Sequence, residues 1–280
     1  MVRYAALPLR KPATPQKIPY WHVDAFSAQP FGGNQAAVMV LDEWLPDDVL
    51  VKIGGENLFA ETAFVVRDAT GEADWELRWC TPTYEIALCG HATLASGHIL
   101  LQRDGGDRIT FRTRKSGILE VVKAGDGYEL ALPAIATEAD SFENQAGAIR
   151  LLGAEPLEVF RSALGYNIYL YENEAAVRAL APDIRGLETL GTDQFICTAP
   201  GDSTDIVSRV FVPGGGVDED SVTGSAHAVL TPYWAKKLGR DSLTAHQASQ
   251  RGGDLTLRLD GDRAWLGGPC VTVVEGAFYL

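Results

Sequence analysis

The stretch "LCGHATLASGHILL", residues 88–101, places Cys89, His91 and His98 in a run that is otherwise small or apolar. Cys89 and His91 are two residues apart at a predicted junction of loop and helix, where such side chains usually diverge. We therefore predict neither a thiol nucleophile with a histidine base nor a metal site. On a helix, His98 lies two turns from the N-terminus and cannot share an ion with Cys89. We predict that His98 is a satisfied core histidine.

A helix that begins near Gly90 explains this stretch better. Gly90 lets the backbone pass close to a ligand, and the N–H groups around His91 and Ala92 have no acceptor within the helix. They point outward at the positive end of the helix dipole, which favours a bound anion. The sequence therefore predicts a carboxylate-binding site at this helix N-terminus, with Gly90 and Ala92 as substrate-binding residues.

The second half of the chain repeats this pattern loosely. "RWCTP", from Arg78, and "RVFVP", from Arg209, share R-x-x-x-P, and each is followed by a loop, a glycine and a helix. In the second half the residues at the helix N-terminus are Gly224, Ser225 and Ala226. We expect two similar halves whose helix N-termini face one cleft, so that a small acid binds between them.

Each predicted helix N-terminus also has a carboxylate nearby in the sequence. Glu61 lies at a strand start in "FAETAF", where apolar neighbours remove water and raise the carboxyl pKa towards the range useful for moving protons at carbon. Asp220 lies four residues before Gly224. It is either a site residue or a helix-entry acid stabilised by the dipole. Glu61 is the first candidate for proton chemistry.

The elements that must position these residues are mostly strands. Short β-branched runs such as "AAVMVL", "TAFVV", "QFICTA" and "IVSRVFV" recur with Gly, Asp and Pro between them, and two helices stand out. We predict an α+β protein of two pseudo-symmetric domains, residues 20–140 and 150–280, each a β-barrel-like sheet around a central helix. A terminal strand is allowed to cross between them, and residues 1–19 form a loose leader.

Composition excludes several classes of protein. The 24 basic and 37 acidic residues give a net charge of -13, which opposes non-specific binding to nucleic acid or to an anionic membrane surface. No run of about 18 apolar residues and no secretory signal appears, so we expect a cytoplasmic protein. The four cysteines lie far apart without a C-x-x-C motif, and we expect buried free thiols.

Five segments, in order, resemble the PhzF-like family of phenazine biosynthesis proteins, within the broader diaminopimelate epimerase fold. They are "VDAFSAQPFGGNQAAVMVL", "ENLFAETAFVV", "LRWCTPTYEIALCGHATLASGHIL", "RVFVPGGGVDEDSVTGSAHAVLTPYWAKKLG" and "HQASQRGGDLTLRLDGDRAWLGG". The resemblance covers nearly the whole chain after the leader. It implies two domains, each a β-barrel-like sheet around a central helix, an active site in the cleft between them, and usually a homodimer.

The resemblance also implies chemistry and site residues. Glu61 of "ETAF" would be the acid/base that shuttles a proton between carbons, while His91, Asp220 and Ser225 would position the substrate and assist proton transfer. The implied activity is a cofactor-independent isomerase of a small, cyclic carboxylic or amino acid, without a metal. Gln35 and Ser221 stand where the family usually has proline, which leaves the substrate open.

Two other readings remain open from the sequence. Relatives of this fold that epimerise amino acids use two cysteine bases, one before each helix glycine, and here those positions are Cys89 and Thr223. A single cysteine could still serve an epimerase or a dehydratase, although Glu61 favours the glutamate mechanism. The other alternative is a non-catalytic binder of small carboxylates, which would not need a desolvated carboxylate.

Overall fold

The computed structural model describes residues 16–280, and eighteen strands in this range are joined into one large sheet by hydrogen-bonded pairing. The strands are β1 (Lys17–Ala25), β2 (Asn34–Val40), β3 (Glu61–Arg67), β4 (Trp75–Cys80), β5 (Glu85–Ile86), β6 (Arg108–Thr113), β7 (Ile118–Ala124), β8 (Gly127–Pro133), β9 (Glu138–Ala139), β10 (Glu158–Arg161), β11 (Tyr166–Leu170), β12 (Gln194–Pro200), β13 (Ile206–Val212), β14 (Val217–Asp220), β15 (Ser242–Gln247), β16 (Gly253–Asp260), β17 (Arg263–Gly268) and β18 (Cys270–Tyr279).

Two long α-helices, four shorter ones and a three-residue 3-10 helix (Pro213–Gly215) accompany the sheet in the same range. The long ones, α2 and α6, have 15 residues each and begin at the two glycines that the sequence pattern marked. The helices are α1 (Asp47–Asn57), α2 (Gly90–Asp104), α3 (Ala146–Leu152), α4 (Glu174–Arg178), α5 (Ile184–Glu188) and α6 (Gly224–Leu238). The predicted α+β class, with a large sheet and few helices, is confirmed.

The predicted leader is wrong at its C-terminal end. Residues 1–15 lie outside the described residues, but β1 already begins at Lys17, so Pro19 belongs to the sheet. Pro19 pairs with Ala277 of β18, whereas the pairing of β1 with β2 starts one residue later, at Tyr20. A proline is accommodated here because, at this residue, the strand is hydrogen-bonded to a neighbouring strand along only one of its two edges.

The same order of strand pairs occurs twice along the chain. In the first half β2 is parallel to β3, β3 is antiparallel to β4, and β4 is parallel to β6. In the second half β11, β12, β13 and β15 follow the same sequence of parallel and antiparallel pairs. Each array is completed by two hairpin pairs, β6–β7–β8 and β15–β16–β17.

Three further pairings connect these two arrays. β8 pairs antiparallel with β17, which joins the third hairpin strand of each array. The short β9 pairs with β10, and the C-terminal β18 pairs with β1 along nine residue pairs. The last strand, β18, therefore lies beside β1, although the two strands come from opposite ends of the described sequence.

The two long helices lie in the hydrophobic core. Every residue of α2 from Gly90 to Leu101 is buried, which agrees with the apolar character of this helix around most of its circumference. The core cluster contains residues from α2, α6 and the strands around both, so burial of apolar surface holds the two arrays together. Gly97 is required where α2 crosses β7, because a Cβ there would lie 2.5 Å from Val121 Cγ1.

Helix α6 contains Pro232, which has no N–H for the carbonyl of Ala228 four residues earlier. The N–H of Ile135 donates to this carbonyl oxygen at 3.1 Å instead. The segment after β8 thus binds to α6 through the acceptor that the proline leaves free.

None of the helices in residues 16–280 is long and apolar enough to cross a lipid bilayer.

Candidate active site

A cavity of about 570 Å³ opens where α2 and α6 begin. Its walls come from the start of β3, the loops after β4 and β13, and the first residues of both helices. The predicted site residues found in this lining are Glu61, Gly90, His91, Asp220, Gly224 and Ser225. Residues from distant parts of the sequence are therefore brought together as the sequence pattern required.

Ala92 and Ala226 do not line the cavity, although both were expected to bind substrate. Both side chains are fully buried in the hydrophobic core. Any contact that these residues make with a ligand would therefore have to involve their backbone N–H groups, which belong to the first helical turns and have no acceptor within the helix.

Gly90 and Gly224 have a different reason to be glycine from the one expected. A Cβ on Gly90 would lie 2.9 Å from Gly224 Cα, and a Cβ on Gly224 would lie 2.9 Å from Gly90 Cα. The two helix N-termini touch, and the missing side chains make this approach possible. Close passage of the backbone to a ligand is not the first requirement at these positions.

Glu61 and His91 form the closest pair of titratable groups in the cavity. Glu61 is the first residue of β3, and its Oε2 lies 3.2 Å from His91 Nε2 in the first turn of α2. The atoms are not aligned as a hydrogen bond, and Glu61 Oε2 is buried without a hydrogen-bond partner among the described residues. A buried carboxylate oxygen without a partner is costly, so this site favours a proton or a ligand there.

The pKa of Glu61 is raised above its ordinary value. Burial is the largest cause, because it disfavours the charged form. The nearby His91 and the thiol of Cys89 oppose this shift, whereas the negative charge of Asp220 adds to it. The expectation of a desolvated carboxylate with a raised pKa at the strand start agrees with the structure.

Cys89 lies closer to His91 than we expected. Its Sγ is 3.6 Å from His91 Nδ1 and 3.9 Å from His91 Nε2, so these side chains converge. The prediction failed because Cys89 has an extended backbone at the N-cap position, with φ −142°, before the chain enters the helix. The histidine ring of the first turn then lies beside the thiol.

With Glu61, these two residues form a cluster whose possible ligand atoms all lie within 4.8 Å of one another. Carboxylate, thiolate and imidazole are common zinc ligands, so this geometry is compatible with a metal ion. A thiol must lose its proton to bind a metal, and burial raises the pKa of Cys89 well above its ordinary value, with Glu61 adding to the shift. Our expectation of no metal stays a prediction.

Asn34 is a site residue that the sequence pattern did not reveal. It is the first residue of β2 and is buried. Its Nδ2 lies 2.7 Å from Asp220 Oδ1, 2.9 Å from the carbonyl oxygen of Val222 and 3.1 Å from His91 Nδ1. Asn34 thereby links the first turn of α2 to the segment before α6. The triplet "GGN" in the segment "VDAFSAQPFGGNQAAVMVL" was a signal for Asn34, but the sequence reasoning singled out only Gln35 there.

A network of hydrogen bonds fixes Asp220 in front of α6. Thr223 donates its hydroxyl to Asp220 Oδ2 at 2.6 Å. The side chain of Gln247 accepts from the N–H of Thr223 at 2.8 Å and donates to the backbone oxygen of Asp220 at 2.6 Å. Asp220 therefore receives one hydrogen bond on each carboxylate oxygen, from Asn34 and from Thr223.

Ser225 is contacted by a second residue that the sequence reasoning missed. Gln194 Nε2 lies 3.3 Å from Ser225 Oγ, and Gln194 Oε1 is buried without a partner among the described residues. Both residues line the cavity. This part of the cavity wall thus has polar groups available for a bound molecule.

The two positions that depart from the family pattern lie next to site residues and outside the cavity lining. Gln35 Nε2 is 3.1 Å from His22 Nε2, and the backbone oxygen of Ser221 accepts from Ser249 Oγ at 2.7 Å.

His98 is a core histidine as predicted. Its ring nitrogens lie 3.1 Å from Tyr128 Oη and 3.0 Å from Thr272 Oγ1, and burial lowers its pKa to about 4.

All four cysteines are free thiols, as expected. Cys80, Cys89 and Cys197 are buried, and Cys270 is partly buried. Burial raises the pKa of Cys80 to about 11 and the pKa values of Cys197 and Cys270 to about 12. None of these groups has the lowered pKa that marks a reactive thiol.

Known proteins are similar to this chain along almost its whole length. The PhzC-PhzF family, described as phenazine biosynthesis-like protein, matches residues 23–276. A protein of Pseudomonas aeruginosa named an uncharacterized isomerase is 44% identical over 270 residues, which cover 94% of this chain and 99% of that protein. A human phenazine biosynthesis-like domain-containing protein is 35% identical over 288 residues, covering 93% of this chain and 98% of its own.

Solved structures give the same result. The crystal structure of a phenazine biosynthesis protein of the PhzF family from Enterococcus faecalis has a TM-score of 0.86 at 39% identity and covers 95% of this chain and 100% of that chain. A hydroxyproline epimerase from Agrobacterium vitis has a TM-score of 0.56 at 12% identity, covers 94% of this chain and 93% of that chain, and shares the fold alone. The chain belongs to the PhzC-PhzF family of phenazine biosynthesis-like proteins and is an isomerase.

Proposed function

We propose that this protein moves a proton between carbons of a small, cyclic carboxylic or amino acid, with Glu61 as the acid and base and without a cofactor. The observation that carries the proposal is the state of Glu61 in the cavity. Its Oε2 is buried without a hydrogen-bond partner among the described residues, and its pKa is raised by burial. A carboxyl group with a raised pKa holds its proton to a higher pH than an ordinary carboxyl and can both accept and release it.

A proton shift needs the same group to act as base at one carbon and as acid at another. In this proposal the ionised Glu61 removes a proton from the first carbon, and the electron pair moves into the conjugated system of the substrate. The protonated Glu61 then delivers the proton to the second carbon, which restores the starting state of the enzyme. No electron acceptor is needed, because the substrate is neither oxidised nor reduced overall.

His91, Asp220 and Ser225 would assist this transfer. His91 lies 3.2 Å from Glu61, where its ring can stabilise the ionised carboxylate between the two steps. Asp220 is held by Asn34 and Thr223 beside the second helix, and Ser225 lies in the first turn of that helix. We assign Asp220 and Ser225 to positioning the substrate from the segment that leads into α6 and from its first turn.

The carboxylate of the substrate would bind at the two helix N-termini. Gly90 and Gly224 are in contact, so the first turns of α2 and α6 open onto the same cavity. Free N–H groups and the positive ends of two helix dipoles favour a negative charge at this point. The backbone N–H groups of Ala92 and Ala226 are included in this role.

We also propose that the chain consists of two pseudo-symmetric domains, near residues 20–140 and 150–280, with β18 crossing to the first. The repeated order of strand pairs supports this division, as do the equal lengths of α2 and α6. The reciprocal pairings of β9 with β10 and of β18 with β1 support an exchange of strands between the domains. A homodimer in the cytoplasm is part of the proposal on the family resemblance alone.

A single-cysteine mechanism is the second candidate, because Cys89 lies 3.6 Å from His91. A cysteine acts as a base only as the thiolate, and burial beside Glu61 strongly disfavours the thiolate of Cys89. The residue at the matching position of the second half is Thr223, whose hydroxyl is already bound to Asp220. These contacts support Glu61 over Cys89 as the base.

The proposal is tested by solvent exchange. Small cyclic and amino-acid carboxylates that raise the melting temperature are incubated with the protein in D2O, and deuterium at carbon is followed by NMR. Incorporation of deuterium into a bound compound supports proton transfer at carbon. If every bound compound keeps its C–H groups, the alternative of a non-catalytic carboxylate binder is favoured.

A further inference from the structure

The side-chain amide of Asn34 has only one possible orientation. One of its terminal atoms lies 2.7 Å from Asp220 Oδ1 and 2.9 Å from the backbone oxygen of Val222. A carboxylate oxygen and a carbonyl oxygen are both acceptors, so the atom between them must be the NH2 nitrogen. The contact of the same atom with His91 is therefore a contact with a donor group.

This donor faces Nδ1 of His91 at 3.1 Å. An amide nitrogen has no lone pair available to accept a hydrogen bond, because that pair is delocalised into the carbonyl. An N–H at Nδ1 would consequently face the NH2 group, which offers no acceptor for it. An unprotonated Nδ1, by contrast, can accept a hydrogen bond from the NH2 group, whose two hydrogens also bond to the oxygens of Asp220 and Val222.

The second neighbour of Nδ1 is the thiol of Cys89. Cys89 Sγ lies 3.6 Å away, within reach of a weak S–H hydrogen bond. Burial keeps this sulfur as a thiol, because its pKa is raised well above the ordinary value. A thiol is both a weak donor and a weak acceptor, so the Cys89 contact is compatible with either tautomer, and the amide of Asn34 decides between them.

We propose that Asn34 is a positioning residue that holds neutral His91 in the tautomer with its proton on Nε2. The Nε2–H then faces Glu61 Oε2, 3.2 Å away, and becomes a donor to the carboxylate when a substrate aligns the pair. Nε2 has no lone pair free in this tautomer, so His91 can neither take a proton from the substrate nor bind a metal ion there. Asn34 thus leaves Glu61 as the proton acceptor of the cluster.

The consequence for catalysis rests on the proposed function, but the tautomer itself does not. It can be observed in the resting protein without any substrate. A failure to find C–H exchange would overturn the proposed function and leave the tautomer unaffected, whereas a different tautomer would overturn this inference alone.

The test is long-range ¹⁵N–¹H NMR of the full chain, labelled at histidine, near neutral pH. The chain has five histidines, and the signals of His91 are identified by their loss in His91→Gln. We expect Nδ1 at the chemical shift of an unprotonated nitrogen and Nε2 at that of an N–H. Signals for a proton on Nδ1, for protons on both nitrogens, or for averaged tautomers would overturn the proposal.

Asn34→Ala tests whether the amide sets the tautomer. Removal of the donor should bring the two His91 nitrogen shifts towards each other, because both tautomers become populated. Gln35→Ala is the matched control, since it removes an amide contact to a different histidine, His22, from the next residue. Unchanged His91 shifts in Asn34→Ala would show that Asn34 is not the determinant. If this variant does not fold, the spectrum of the unaltered protein still decides the tautomer.

Discussion

Gly90 and Gly224 are in direct contact where α2 and α6 begin, and a Cβ on either would lie 2.9 Å from the Cα of the other. This contact sets the distance between the two helix N-termini that open onto the cavity. Because the obstacle is backbone in both directions, neither helix can make room by rotating a side chain.

We expect Gly90→Ala and Gly224→Ala each to lower the free energy of unfolding by about 1–3 kcal/mol or more through overpacking. Helix propensity alone predicts the opposite sign, since alanine is preferred to glycine by about 1 kcal/mol within helices. Gly147→Ala is the control, because this glycine is also helical and a Cβ there meets nothing within 4 Å. Denaturant unfolding that found Gly90→Ala as stable as Gly147→Ala would contradict the close contact.

The raised pKa of Glu61 predicts a pH-dependent stability difference. Between the ordinary value of 4.5 and the raised pKa, the folded state holds a proton on Glu61 that the unfolded state has lost. The contribution of this residue to the free energy of unfolding therefore falls as pH rises through that window, by up to about 1.4 kcal/mol per pH unit.

Glu61→Gln removes this titration and should be as stable as the unaltered protein at low pH and more stable at high pH. Urea unfolding of both proteins at several pH values from about 4.5 upward measures the difference. A difference that stays constant with pH would mean that burial does not raise the pKa of this carboxyl.

The thiols should be unreactive in the folded protein. Burial raises the pKa values of all four cysteines, so a thiol reagent near neutral pH should label few of them before unfolding and all four in denaturant. Native labelling should be the same in Cys89→Ala. One rapidly labelled thiol that disappears in Cys89→Ala would revive the cysteine mechanism.

The cluster of Glu61, Cys89 and His91 should bind divalent metal weakly. Binding needs a thiolate at Cys89, which burial opposes, and a free ring nitrogen at His91, whereas the Asn34 amide contacts Nδ1 and the proposed tautomer carries its proton on Nε2. Titration with Co²⁺, followed by the absorption of a cobalt–thiolate bond, measures the affinity. Tight binding of one ion that is lost in Cys89→Ala would contradict the expectation of an enzyme without a metal.

The sequence predicted the features that depend on local patterns. β-branched runs marked the main strands, and Gly90 and Gly224 marked the starts of the two buried helices. It missed β1, because Pro19 and the basic residues before it resemble a loose leader, whereas pairing with β18, from the far end of the chain, makes this segment a strand.

Only the part of the site that local sequence patterns mark was predicted. Glu61 and His91 each lie in a recognisable segment, and their convergence followed from the family pattern. Asn34 lies in the recognisable "GGN" triplet, but its role depends on a hydrogen bond to Asp220, far away in the sequence. Gln247 also acts through hydrogen bonds to distant residues such as Asp220, and no local pattern reveals that role. The approach of Cys89 to His91 depends on one backbone dihedral at the helix N-cap, which the spacing of two residues does not determine.

Solvent exchange at carbon in Glu61→Gln tests the central claim most directly. With a compound that the unaltered protein deuterates in D2O, we expect the exchange rate to fall by about 10²- to 10⁴-fold in Glu61→Gln, the usual contribution of a general acid or base. In Cys89→Ala the rate should stay within the same order of magnitude. Exchange that persists in Glu61→Gln and is lost in Cys89→Ala would contradict the assignment of Glu61 as the base.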